Sequence, residues 1–253
     1  MSTLEDAAVL VTGAGSGIGA AIASAVARAG GTVAVNDLDP GAAERTCAAI
    51  GASAVAVPGD VSTPDGASAV LGAAVGRLGR LTGLVNNVGI VRGGPLRTVS
   101  AAEWDAVMRV DCGSALYCAQ AGYQHLAAAS GAIVNLSSLC GMFAAPFAGS
   151  YNAAKAALIS LTQQMALEWG GDGIRANAIA PGIVSGTNFS ASSRDPDAAT
   201  RRGPAVPLGR TGRAEDIAPV AVFLLGAGAR YMTGQVLVVD GGLGIALQTL
   251  IPA

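Results

Sequence analysis

The chain has 253 residues, of which 51% are hydrophobic and 13% charged, and its formal net charge is −2. That length can bury a large core and is commonly one α/β domain, here expected to be 1–253; the charge gives no basic footprint for nucleic acid, and the most apolar late stretch, 218–229, is too short to span a membrane. Cys47, Cys112, Cys118 and Cys140 lack any CxxC spacing and the start MSTLEDAAVL has no basic n-region, so neither a metal site, nor a disulfide framework, nor a signal peptide is expected, and a cytoplasmic location is.

In chain order, residues 8–11 are a short apolar run ending at Thr12, followed by Gly13-Ala14-Gly15-Ser16-Gly17-Ile18-Gly19 and an alanine-rich helical segment to about 29. Strand, glycine-rich turn and helix is the context in which glycines let the backbone approach a pyrophosphate seated on the helix N-terminus. A second strand, 32–36, runs into Asp37, 18 positions beyond Gly19 and so close to the ~20 expected of a carboxylate that bonds the adenosine ribose. A 2′-phosphate would be repelled by that acid, and neither Ser16 nor Leu38 offers a compensating base, so NAD(H) is expected over NADP(H). The alternative role for Asp37 is to cap the next helix.

The alternation continues. Strands are expected at 53–57, ending in Gly59-Asp60-Val61, at 83–86, running into Asn87-Val88-Gly89, at 132–136, ending at Ser137-Ser138, at 174–179, closed by Ala180-Pro181-Gly182, and at 235–239. Helices are expected at 63–78, over a long stretch 100–129 with Ser100 and Glu103 in capping-box positions, at 151–170 and at 215–225. Strands alternating with helices imply a parallel sheet covered on both faces. The irregular stretch 185–207 follows a strand's carboxyl end, where open α/β sheets bind ligands, and reads as a substrate lid.

The helix from 151 opens Tyr151-Asn152-Ala153-Ala154-Lys155, which places a phenol and an ammonium one turn apart on one face. Lys155 is the sole lysine among 15 basic side chains, so it is not a generic solvated charge. An adjacent cation favours phenolate and is expected to lower the Tyr151 pKa from ~10 toward neutrality, which suits a general acid or base at a carbonyl or alcohol oxygen.

Together these residues resemble the short-chain dehydrogenase/reductase family in its single-domain form, over nearly the whole chain from Thr12 to Gly242. The resemblance implies a Rossmann-type doubly wound sheet of about seven parallel strands in the order 3-2-1-4-5-6-7. It implies a cofactor site of Gly13, Ser16, Gly17, Ile18, Gly19, Asp37, Leu38, Asp60, Val61, Asn87, Gly89, Tyr151, Lys155, Pro181, Gly182, Val184 and Thr187. Asn86-Asn87-Val88-Gly89 is similar to the family's NNAG, with Val88 in place of Ala. Ser138, 13 residues before Tyr151, matches the family position that holds the substrate oxygen, though a serine at a strand end also serves an ST-turn. Tyr151 would exchange the proton, and Lys155 would lower its pKa and hold the nicotinamide ribose.

Two positions depart from the family pattern. Where the family usually carries an Asn supporting a kink in the long fourth helix and a proton path to the lysine, this chain has Asp111. It is counted among the catalytic positions, and an ionised carboxylate there is expected to raise the Lys155 pKa. The threonine after Pro181-Gly182, expected at 186, is displaced by Gly186 to Thr187. The substrate side is expected to be formed by Ser138, Cys140, Phe147, Tyr151 and Phe189. The apolar segment 139–147, LCGMFAAPF, favours a secondary alcohol or ketone on a hydrophobic, cyclic, aryl, terpenoid or steroid-like frame. Arg194, Arg201 and Arg202 in the lid leave a carboxylate, sulfonate or CoA phosphate open. A 3-oxoacyl-acyl carrier protein reductase, a 3-hydroxyacyl-CoA dehydrogenase and a non-catalytic NAD-binding regulatory protein are the alternatives. The resemblance implies a homotetramer, and Ala115, Ala119, Ala156 and Ala157 suit close helix packing between subunits. The apolar tail after Gly242 is expected at a subunit interface or over the substrate mouth.

Overall fold

A computed structural model describes residues 3–187 and 195–250. Its sheet has seven strands in the order β3-β2-β1-β4-β5-β6-β7, every pair parallel. They are β1 (Ala8–Val11), β2 (Thr32–Val35), β3 (Ala54–Ala56), β4 (Gly83–Asn86), β5 (Ala132–Leu136), β6 (Arg175–Pro181) and β7 (Val236–Val239). The central strands are buried along their whole length, which is why they read as near-continuous apolar runs, interrupted by Gly83 and Asn86 in β4 and Asn135 in β5, rather than as alternating polar and apolar residues.

The pleat sends Val9 and Val11 to one face and Leu10 to the other. The first face packs on α1 (Gly17–Arg28), α2 (Pro40–Ile50) and α8 (Ala214–Leu225) through Ile22, Val26, Ala43, Ile217 and Leu224. The second packs on α3 (Pro64–Leu78), α5 (Ser114–Ala128) and α6 (Tyr151–Trp169) through Leu71, Ala74, Cys118, Leu126 and Met165. Full burial of each large aliphatic side chain stabilises by roughly 1.5–3 kcal/mol. The order reverses between β1 and β4, so the crevice for a ligand opens outside their carboxyl ends, at Thr12 and Asn87.

The expected long helix 100–129 is interrupted. α4 (Ala101–Met108) begins with the Ser100–Glu103 capping box, and a π-helical turn, Arg109–Gly113, separates it from α5. The reason lies in side chains that pull on that turn. Ser114 Oγ donates to the Val110 carbonyl at 2.6 Å, and the buried Asp111 carboxylate is drawn toward residues outside the helix. Such one-turn bulges concentrate at functional sites.

The segment expected to form a lid is, over its described part 195–207, more regular than its composition implies. α7 (Pro196–Arg202) is capped by Asp195, which accepts the Asp197 N–H and pairs with Arg201 at 2.7 Å, and a 3₁₀ turn, Gly203–Ala205, follows. Phe189 and Arg194 lie outside the described residues. Ala115 and Ala119 are buried against the chain's own core, which corrects their assignment to a subunit surface; Ala156 and Ala157 stay at or near the surface. After β7, both Asp240 carboxylate oxygens accept backbone N–H groups, of Gly242 and Gly244, and turn the tail inward. Gly244 packs so closely that an added Cβ would lie 3.1 Å from Leu139 and 3.2 Å from Phe143, which puts the start of the tail beside the segment that follows Ser138.

Candidate active site

A cavity of about 910 Å³ runs along the carboxyl ends of the strands, from Asp37 to Tyr151. Its floor is the glycine turn. Gly13 and Gly17 have φ of 61° and 57°, a region that L side chains resist, and Gly19 is buried so tightly that a Cβ would sit 2.3 Å from the Gly13 carbonyl oxygen. Gly19 therefore packs helix on turn and does not line the cavity, a correction to its expected place in the site. Asn87 clamps the turn, its Nδ2 donating to the carbonyls of Thr12 and Gly13 at 3.0 Å each.

The helix caps separate α1 from its neighbours. Asp39, Thr63 and Ser100 each accept a backbone N–H at the starts of α2, α3 and α4, whereas Ser16 caps α1 with no side-chain bond. The first N–H groups of α1 thus face the cavity without a partner from a capping side chain, an arrangement that fits a pyrophosphate. The buried Asn36 Oδ1, at the cavity wall, also has no hydrogen-bond partner among the described residues. These features fit a dinucleotide.

At the far end, Asp37 accepts N–H groups from Gly15 at 2.9 Å and Asp39 at 3.1 Å, and Asp39, not Asp37, caps α2. Asp37 is thereby fixed as an acceptor on the cavity, next to Leu38 and Ser16. Asp60 accepts the Ser62 N–H at 2.8 Å, and this bond first, with the Ser62 hydroxyl, holds its carboxyl below the usual aspartate range. Val61, Gly89, Pro181, Gly182, Val184 and Thr187 also line the cavity, so Thr187 sits against the turn despite its one-residue displacement.

At the near end, α6 starts at Tyr151 and aims Tyr151 and Lys155 into the sheet, 8% and 3% exposed. The ammonium stands 5.5 Å from the phenol ring centroid. Ser138, at the end of β5, hydrogen-bonds the Tyr151 side chain and accepts the Cys140 N–H at 3.1 Å, so it serves the ST-turn and the site at once. Lys155 Nζ donates to the Leu136 carbonyl at 3.1 Å and lies 3.2 Å from Asp111 Oδ2, while Asp111 Oδ1 accepts the Ile90 N–H at 2.7 Å. Gly89 permits this approach, since a Cβ there would meet Asp111 Oδ2 at 3.0 Å and Lys155 Nζ at 3.1 Å.

Burial works against the lysine's charge, but Asp111 foremost, with Tyr151 and Cys112, outweighs it and holds the ammonium above its ordinary pKa, as expected of an ionised Asp111. Burial displaces Asp111 upward too, against the pull of Lys155 and the Ile90 N–H. The expectation for Tyr151 is corrected. Its pKa is raised, because burial of the phenol, helped by Asp111, exceeds the lowering effect of Lys155 and the Ser138 bond.

Asp111 itself lies behind Lys155 rather than on the cavity wall. Of the expected substrate residues, Ser138, Cys140 and Tyr151 line the cavity. Phe147 does not: its backbone turns outward at φ 58°, its carbonyl is held by the Gly94 N–H, and the side chain is 73% exposed. Residues missed from sequence complete the walls. Ile90, Val91 and Arg92 follow β4 and Ile183 follows β6, while Arg202, one of the arginines the sequence had pointed to, ends α7. Arg109 donates to Ser62 Oγ at 2.8 Å, and Ser137 Oγ donates to the Lys155 carbonyl at 2.9 Å. The Ser137-Ser138 pair at a strand end was the one legible signal among these.

A family profile described as enoyl-(acyl carrier protein) reductase matches residues 13–244. The chain is 40% identical to 2-(S)-hydroxypropyl-CoM dehydrogenase 3 of Xanthobacter autotrophicus over 95% of this chain and 97% of that one. It is also 40% identical, over 88% of its length and 99% of the relative's, to a protein of the same organism named inactive 2-(S)-hydroxypropyl-CoM dehydrogenase 2. A solved structure assigned as a short-chain alcohol dehydrogenase of Sinorhizobium meliloti superposes with a TM-score of 0.89 at 39% identity, covering 95% of this chain and 97% of that one. The chain belongs to the short-chain dehydrogenase/reductase family, oxidoreductases that use nicotinamide cofactors.

Proposed function

We propose that the protein is an NAD(H)-dependent oxidoreductase that interconverts a secondary alcohol and a ketone on a mainly hydrophobic small molecule. The observation that carries this reading is the convergence of Ser138, Tyr151 and Lys155 at one end of a cavity whose other end presents the Asp37 carboxylate. NAD(H), held by the glycine turn, α1 and Asp37, supplies the hydride exchange. The chain's own part is proton management and position. Ser138 Oγ bonds the substrate oxygen. Tyr151 Oη gives that oxygen a proton in reduction and takes it back in oxidation. Lys155 holds a positive charge beside the phenol and would hold the ribose hydroxyls of a bound cofactor. Cys140, next to Ser138, and Val91, Ile183 and Val184 supply apolar wall to the same cavity.

A second reading, a dehydrogenase or reductase of acyl thioesters, is favoured by Arg92 and Arg202, which stand exposed on the same cavity and suit an anionic carrier. A non-catalytic role is disfavoured by the intact Ser138, Tyr151 and Lys155. The protein is read as a cytoplasmic homotetramer.

Replacing Tyr151 with Phe tests the assignment. The variant is expected to lose about 10²–10⁴-fold in kcat while NADH binding, followed by fluorescence, is retained. Undiminished turnover would remove Tyr151 from the chemistry.

A further inference from the structure

We propose that Asp111 is a positioning residue with a charge role: its carboxylate, seated between the Ile90 N–H and the Lys155 ammonium, compensates the lysine and joins burial in keeping Tyr151 a phenol, poised to donate a proton. The inference deepens the function proposed above and rests on it for its catalytic meaning, though not for its electrostatics.

The geometry carries it. Both partners are withdrawn from solvent, their side chains 4% and 0% exposed, and their charged atoms are 3.2 Å apart. Asp111 Oδ1 accepts a backbone N–H and Oδ2 forms an ion pair with an ammonium that has only protons to offer, so the group is a carboxylate. An amide in its place would carry no charge, leaving Lys155 uncompensated in a low-dielectric site. Lys155 would then act on Tyr151 with its full field. With Asp111 present, lysine and carboxylate act on the phenol with opposite signs, and the attraction that would favour phenolate is partly offset.

Among the described residues, the titratable groups that face this pair are few. Tyr151 comes from the same helix as Lys155. The π-turn brings Asp111 and Cys112. The turn after β5 brings Cys140 toward Tyr151. Of these, Asp111 is the one acid, and the upward displacement of both Tyr151 and Lys155 agrees with its influence. The π-helical turn acquires a purpose in this light, since it is the irregularity that presents the Asp111 side chain to Ile90 and Lys155. A phenol that stays protonated is a proton donor, so the device favours ketone reduction at neutral pH and postpones alcohol oxidation to higher pH.

The test is ionisation of Tyr151 in the cofactor-free protein, read from tyrosinate absorbance as a difference between the protein and its Tyr151→Phe variant. The same difference is measured in an Asp111→Asn background. Removing the carboxylate is expected to move the Tyr151 midpoint down by about one pH unit or more, and to move the pH profile of alcohol oxidation down with it. Circular dichroism establishes that Asp111→Asn folds, and Asp111→Ser serves as a second neutral variant if it does not. A midpoint that stays in place or rises in the folded variant overturns the proposal. Because the titration needs neither cofactor nor substrate, failure to find an oxidisable alcohol would count against the proposed function and leave this result standing.

Discussion

Tyr151, Lys155 and Asp111 act as one electrostatic unit, and the sign of each contribution decides what the unit does. The lysine favours phenolate, while burial and the aspartate favour phenol, and in the cofactor-free protein the second pair prevails. At the opposite end of the cavity, Asp37 is the residue on which cofactor choice turns. Asp37→Ser removes an acceptor for the adenosine ribose and the charge that repels a 2′-phosphate. The NAD kcat/KM is expected to fall about 10–100-fold, the worth of a charged hydrogen bond of ~1.5–3 kcal/mol, while NADP becomes relatively better used. Paired steady-state kinetics with both cofactors reads this, and an unchanged NAD preference would assign selectivity elsewhere. Residues that announce themselves by type and spacing, such as Tyr151, Lys155, Ser138 and Asp37, were legible in the sequence. Arg92, Arg109 and Ile90 were not, because their roles depend on where loops fold back and on backbone N–H groups that every residue possesses. The Tyr151 shift escaped for a related reason: the lysine's effect is visible in an i, i+4 spacing, whereas the burial that outweighs it belongs to the assembled fold.

At the level of elements, α1 and the glycine turn are a single built part. Gly19→Ala would drive a Cβ to 2.3 Å from the Gly13 carbonyl oxygen, a rigid backbone atom. Loss of roughly 1–3 kcal/mol of stability, the usual cost of overpacking, and weaker NADH binding are expected, as read by thermal melting and fluorescence titration. Wild-type behaviour in both would contradict this close packing of helix on turn. The start of α8 is tied to the lid's exit by a two-pronged bond, Arg210 Nη1 and Nη2 to Asp216 at 2.7 and 2.8 Å. The Arg210 bond first, then the Arg213 N–H, lowers Asp216 to about 2, against ~3.9 for a free aspartate. A depressed carboxylate stabilises the fold above its unfolded pKa, and that contribution fades as pH falls from about 4 to about 2. Both side chains are partly exposed, so Asp216→Asn is expected to cost no more than about 1 kcal/mol at neutral pH and less still at pH 3. A difference between the two proteins that grows on acidification would reverse the sign. Strands and most helices could be read from apolar runs and capping residues. The π-turn at Arg109–Gly113 could not, since the weak helix propensity of Val110, Asp111, Cys112 and Gly113 does not by itself specify a π-turn and the pull on them comes from Ile90 and Lys155, far off in sequence.

For the molecule as a whole, the sheet order places the two halves of the chemistry at one edge. Thr12 and Asn87 flank the topological switch, Asp37 follows β2, Ser138 follows β5, and Pro181-Gly182 closes β6, so one cavity gathers ends of strands distant in sequence. The parallel sheet followed from the alternation of elements and its strand order from the family resemblance, while the outward course of 142–148 did not follow, because neither apolar content nor position in the chain says which way a connecting segment runs. Met142, Phe143 and Phe147 remain exposed, and Leu139 and Phe143 meet the tail at Gly244. The most direct measurement is steady-state oxidation of a panel of cyclic, aryl, steroidal, sulfonated and 3-hydroxyacyl-CoA secondary alcohols, followed at the nicotinamide absorbance with NAD and NADP side by side. Turnover of a hydrophobic secondary alcohol with NAD preferred is the predicted result. Turnover confined to NADP, or no turnover of any alcohol by a folded protein that binds NADH, would contradict the account.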